Sequence, residues 1–124
     1  MNVVDSSAWL EYFAGGPNAD RFAKVIENPG ELLVPSITLL EVFKRVSQQR
    51  DESLALQYVA AMRQSATVDL DATLALRAAQ LGMRHKLPLA DSIIYATAQA
   101  ADAWVWTQDA DFEGLPGVKF WRKS

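Results

Sequence analysis

Short apolar runs of strand length recur along the chain, at Val3-Val4, Leu32-Leu33-Val34, Val68 to Leu70, Ala103 to Trp106 and Val118 to Trp121. Between them lie longer segments whose apolar positions return every three or four residues, the period of a helix with one buried face. Ser7 to Phe13 reads as a short helix stopped by Gly15-Gly16-Pro17, and a second runs from about Asn18 to Ile26 before Asn28-Pro29-Gly30 ends it. Ser36 is placed to cap a helix reaching about Gln49, and a further helix is predicted from about Glu52 to Gln64. Asp71 can cap a helix to about Arg84, where basic residues suit the C-terminal end. The last helix starts near Leu89, punctuated by Pro88, and Ala90 to Ala101 is rich in good helix formers. Strands alternating with helices predict an α/β fold in which a central parallel sheet is flanked by helices on both faces. With no repeat, low-complexity stretch or linker, residues 1–124 read as one domain.

Composition narrows this picture. A chain of 124 residues, half of them apolar, has material for one hydrophobic core. The absence of cysteine excludes disulfides, thiolate metal sites and cysteine nucleophiles, and fits a reducing compartment. The start, Met1-Asn2-Val3-Val4-Asp5, lacks a basic stretch, and no apolar run approaches the roughly 20 residues of a membrane span, so a soluble, cytoplasmic protein is expected. A formal charge of -3 provides no global attraction for nucleic acid and by itself argues against RNA binding. The cations are nevertheless clustered, as Lys44-Arg45 with Arg50, as Arg84-His85-Lys86 and as Arg122-Lys123.

Four acids stand out by position. Asp5 directly follows the first strand, and Asp109 follows the run Ala103 to Trp106 after only Thr107 and Gln108. Ligands of open parallel sheets bind outside the carboxyl ends of the strands, and a right-handed crossover would make these two strands neighbours. Asp91 falls in the first turn of a helix otherwise built of small and apolar residues, and Glu41 sits beside the apolar stripe Leu39, Val42, Phe43 and Val46. Each has an ordinary explanation: Asp5 or Ser6 as a helix cap, Asp91 as a first-turn acid, Glu41 paired with Lys44 or Arg45, and Asp109 and Asp111 as turn residues. Gathered at one sheet edge, however, carboxylates repel one another unless a cation intervenes, and oxygen-only ligands suit hard ions such as Mg²⁺ or Mn²⁺. One or two such ions are the usual apparatus of phosphodiester hydrolysis.

The segments Val3-Val4-Asp5-Ser6-Ser7, Pro35-Ser36-Ile37-Thr38-Leu39-Leu40-Glu41-Val42, Leu89-Ala90-Asp91-Ser92-Ile93-Ile94-Tyr95-Ala96-Thr97-Ala98 and Thr107-Gln108-Asp109-Ala110-Asp111-Phe112 resemble, in this order, the motifs of the PIN-domain family. Within it they most resemble the VapC-type toxins of bacterial toxin-antitoxin pairs. The resemblance implies a PIN-like fold and Mg²⁺- or Mn²⁺-dependent endonucleolytic cleavage of RNA. It implies a catalytic and metal-binding quartet of Asp5, Glu41, Asp91 and Asp109, with Ser6 and Thr107 supporting the site by hydrogen bonds and Asp111 as a more variable acid. It also implies a homodimer and a cognate antitoxin docking beside the site. Dimerisation would let two local basic patches combine along one RNA path despite the acidic balance.

Other residues have plainer readings. His85, the single histidine, is expected at a solvated helix end. Trp104 and Trp106 share one strand face, and they, Trp9 and Trp121 are expected in core or dimer packing in place of base stacking. The stretch Trp9 to Phe13 with Phe22 offers apolar surface on which a partner helix would lie. A receiver domain would need a phosphate-accepting Asp ending a central strand and a Lys after a late one. A dehalogenase-type phosphatase would need an Asp where Ser7 stands; neither pattern is present. An RNA-processing nuclease of the same fold, or a non-enzymatic binding module, remain the alternatives.

Overall fold

The computed structural model describes residues 1–124. The chain forms β1 (Asn2–Val4), α1 (Ser6–Ala14), α2 (Ala19–Ile26), β2 (Leu32–Pro35), α3 (Ser36–Gln49), α4 (Glu52–Met62), β3 (Ala66–Val68), α5 (Ala72–His85), α6 (Leu89–Ala100), β4 (Trp104–Thr107) and β5 (Val118–Phe120). The five strands make one all-parallel sheet in the order β3-β2-β1-β4-β5.

Strand alternation divides the interior into two layers. Val4, Leu32 and Val34 face one side with Trp9, Phe22, Val42 and Met62 from α1 to α4. Val3 and Val105 face the other with Ala78 and Leu81 of α5 and the apolar residues of α6. The α6 helix is the most enclosed element, since every residue from Asp91 to Ala98 is buried. Its Ala, Ser and Thr content permits this, because small side chains let the sheet and α5 approach closely. On α5, Gly82 serves the same end, as a Cβ there would lie 3.0 Å from the Ser92 Cβ.

Three local expectations are corrected. The cap of α3 is Pro35, whose preset φ suits the turn, and Ser36 is already helical and makes no side-chain cap bond. The third strand is Ala66–Val68, two residues earlier than the apolar run Val68 to Leu70 suggested. This edge strand is largely exposed at Ala66 and Thr67, so its residues carry little apolar signal. His85 ends α5, as expected, but is half-buried there and not simply solvated, its ring perpendicular to that of Tyr95 with centroids 5.5 Å apart.

The strand order reverses beside β1. From β1 the chain builds outward through β2 and β3, then returns to place β4 on the opposite side. The pairing Val3↔Val105 and Val4↔Trp106 brings the carboxyl ends of β1 and β4 level with one another. A crevice at such a reversal is where open α/β sheets take ligands.

Candidate active site

Asp5 emerges one residue past β1 and enters α1 as its N-cap, its carboxylate accepting from the Ala8 amide at 3.2 Å and from the Ser7 hydroxyl at 2.9 and 3.1 Å. It is 2 % exposed. Burial pushes its pKa from 3.8 to about 7, hydrogen bonds from Ser7, Thr107 and the Ala8 amide oppose the rise, and the charge of Asp109 adds to it. Capping and site membership are thus two uses of one carboxylate.

Asp91 projects from the first turn of α6 and is buried. Its pKa is raised to about 8, first by burial and then by the charge and hydrogen bond of Asp109, with Asp5 and Asp111 adding smaller repulsions. Asp109 follows β4 and is set by two bonds: its amide donates to Thr107 Oγ1 at 2.8 Å, and its carboxylate accepts from the Asp111 amide at 2.9 Å. One carboxylate oxygen from each of Asp5, Asp91 and Asp109 lies within 4.8 Å of the others.

Glu41 belongs to the same cavity by a different route. The expected ion pair with Lys44 or Arg45 is absent, since the one salt bridge of the molecule joins the Met1 amino group to Glu31. Glu41 instead accepts from Ser6 Oγ at 2.6 Å, which ties α3 to the start of α1. It lines the cavity of about 560 Å³ together with Asp5, Asp91 and Asp109, while standing outside the tight group of three. Asp111 is exposed and does not line the cavity, so its influence on the site is electrostatic and through its amide.

Reading the sequence overlooked Ser7, whose hydroxyl grips both oxygens of Asp5; its place two residues into a helix capped by Asp was the available signal. It also overlooked a buried pair, Asn18 and Gln108, joined at 3.0 Å, in which Asn18 also donates to the Arg122 carbonyl at 3.1 Å. That bond fastens the end of β4, next to Asp109, to the start of α2 and to the tail. No local pattern signals it, because the two residues are far apart in the chain.

The three-acid group, placed where the strand order reverses, can hold a hard divalent cation. Its donors are all carboxylate oxygens, and Asp5 and Asp91 are pushed toward the protonated form by burial and by the neighbouring carboxylate charge. A parallel sheet in the order 3-2-1-4-5 with such a carboxylate cluster at the reversal defines a class of acid-site α/β proteins. The particular membership follows from comparison: the PIN-domain pattern matches residues 3–118, and the chain belongs to the PIN-domain family.

A toxin-antitoxin complex from Klebsiella pneumoniae has the same fold, at a TM-score of 0.79 and 25% identity over 96% of each chain. The sarcin-ricin-loop-cleaving toxin VapC20 of Mycobacterium tuberculosis aligns at a TM-score of 0.78 and 20% identity, covering 95% of this chain and 97% of that one. DNA-bound VapBC from Salmonella typhimurium aligns at 0.75 and 17% identity, covering 98% and 97%. No curated protein matches the sequence.

Proposed function

We propose that the chain is a VapC-type toxin, an Mg²⁺- or Mn²⁺-dependent endoribonuclease in which Asp5, Asp91, Asp109 and Glu41 form the active site. The observation that carries the reading is the convergence of three carboxylates within 4.8 Å, from the ends of β1 and β4 and the first turn of α6. When a divalent ion is bound, it supplies activated water at neutral pH and offsets charge on the leaving oxygen. Asp5, Asp91 and Asp109 are the residues that hold it. The Ala8 amide and the Ser7 hydroxyl orient Asp5, and Thr107 orients both Asp5 and Asp109. Ser6 holds Glu41 at the rim, where its carboxylate can complete the ligand set or take a proton from water. The neighbour that cleaves the sarcin-ricin loop supports RNA as the substrate class.

The partners follow the same reading. Structural neighbours include toxin-antitoxin complexes. A second cavity, of about 600 Å³, opens beside the acids and is lined by Leu10, Phe13, Val46, Leu54 and Tyr58 with Arg45 and Arg50 at its rim. An antitoxin segment is assigned to this groove. The surface anticipated at Trp9 and Phe22 is not available, since both are buried in the core, whereas Phe13 remains at the groove, stacked 4.0 Å from Tyr58. The family resemblance suggests a homodimer, which could cover the exposed Leu76, Met83 and Leu89 of α5 and α6. No helix is long and apolar enough to cross a membrane.

The deciding experiment is incubation of purified total RNA with the wild type, Asp5→Asn and Asp91→Asn, each in Mg²⁺, Mn²⁺ or EDTA. Discrete fragments that require metal and vanish in both variants are expected. Metal-independent cutting, or undiminished cutting by the variants, would overturn the assignment.

A further inference from the structure

The acid cavity has a second wall of opposite chemistry. Glu41, Lys44, Arg45 and Gln48 of α3 all line it, and their spacing places them on one stripe of the helix. Along that stripe the surface changes from carboxylate to cation to amide over about 10 Å, at about 1.5 Å per residue. Lys44 and Arg45 are exposed and have no acidic partner within salt-bridge distance. Gln48 is exposed, and its side chain makes no hydrogen bond within the protein. One turn earlier, Glu41 accepts from Ser6 Oγ and forms no ion pair with either cation. The two cations are therefore left facing the cavity with their charge available.

A ligand that satisfies both walls must bring a group for the acid floor and further anionic groups one helical turn away. A polyphosphodiester does so, with one phosphate over the acids and its neighbours against the cations. A free phosphate or a nucleoside monophosphate carries a single phosphate group and so cannot place one over the acids and another against the cations at the same time.

We propose that Lys44 and Arg45, with Gln48 beyond them, are positioning residues that bind the backbone phosphates flanking the scissile bond and set the direction in which a single RNA strand leaves the acids. The proposal rests on the nuclease reading for its substrate. It also resolves the conflict between an acidic chain and a polyanionic ligand, because the cations that matter are local and unpaired and need no contribution from net charge.

The test is binding of a fluorescein-labelled 12-nucleotide single-stranded RNA in CaCl2, followed by anisotropy from low to high KCl, with RNA integrity checked on a gel. Wild type is compared with the double variants Lys44→Met/Arg45→Met and Lys44→Arg/Arg45→Lys, and with Arg63→Met/Arg77→Met, exposed cations that line neither cavity. Loss of both charges at positions 44 and 45 is expected to weaken binding about tenfold or more at low salt and to flatten the plot of log Kd against log salt by about 1.4, two contacts at about 0.7 each. The charge-preserving swap should retain the wild-type slope, and the remote pair should leave it unchanged. In cleavage of the same RNA, KM should rise about tenfold with kcat within about threefold, whereas a dinucleotide, lacking flanking phosphates, should be cut equally by both proteins.

An unchanged slope overturns the proposal, as does a wild type that binds no RNA. If the cations serve only to offset the acids, their removal will tighten Mn²⁺ binding and leave the salt slope intact, which also overturns it. A wild type that binds with the expected slope yet cuts nothing would uphold the phosphate contacts and sink the nuclease reading. One that cuts with an unaltered slope in the variant does the reverse.

Discussion

Asp5 caps α1 through the Ala8 amide and, with the same side chain, faces Asp109 across the cavity. In the metal-free protein this arrangement costs stability as pH rises. Asp5 and Asp91 have folded pKa values of about 7 and about 8 against 3.8 in the ordinary state, so between about pH 4 and 8 the folded chain holds protons that the unfolded chain has released. Stability therefore falls as pH rises through that window. Thermal melting in EDTA should show a lower Tm at pH 8 than at pH 5, and Asp91→Asn should raise the pH 8 value by about 3–8 °C by removing a repelled charge. A Tm that rises with pH across this range would contradict the crowding. Ser6 acts at the same scale: Ser6→Ala frees Glu41 and is expected to lower metal affinity or cleavage about 10- to 100-fold, read by Mn²⁺ titration beside the RNA assay, with little change in Tm.

At the scale of the element, α6 must be buried along most of its length while presenting one carboxylate at its first turn. Its stability rests on packing, since Ile94 is fully buried between the sheet and α5. Ile94→Ala should cost about 2–5 kcal/mol in urea unfolding, and a loss below about 1 kcal/mol would mean that the layer is looser than described. The β4 end depends on a different force. Asn18→Ala leaves Gln108 buried without its 3.0 Å partner and releases the Arg122 carbonyl, for an expected loss of about 1–3 kcal/mol. Because Gln108 precedes Asp109, that variant should also weaken metal binding, which a distant destabilising change such as Met62→Ala should not do.

For the whole molecule, the strand order decides that acids at positions 5, 91 and 109 share a space of a few ångströms. A ligand that binds only this assembled arrangement stabilises the fold by mass action. Mg²⁺ or Mn²⁺ at about one hundred times its dissociation constant should add about 2.7 kcal/mol at pH 8, reversed by EDTA and absent in Asp5→Asn. The gain should shrink at pH 5, where protons already neutralise Asp5 and Asp91 and compete with the ion. An equal gain at both pH values would place the ion elsewhere.

The order of strands and helices was legible in the chain because burial writes itself into the sequence: two apolar faces for central strands, one for most helices, and a nearly all-round run of small and apolar residues for α6. The same regularity marked Asp5, Asp91 and Asp109 as acids at apolar junctions, and the ordered motifs around them pointed to the family. The edge strand β3 was misplaced by two residues because Ala66 and Thr67, half in water, need not be apolar. Contacts between distant residues left no local trace. The Ser6–Glu41 bond spans 35 positions and the Asn18–Gln108 pair spans 90; Ser6 and Glu41 were marked as site residues but not as partners of each other, and Asn18 and Gln108 look like ordinary polar residues in the sequence. Sequence alone determined which residues are driven from water and which acids stand at the margins of that interior. Only the tertiary structure decided that three of those acids oppose one another, that Glu41 turns to Ser6 and leaves Lys44 and Arg45 free, and that Trp9 and Phe22 are enclosed while Leu10 and Phe13 meet solvent, because direction and distance across the sheet are set by strand pairing.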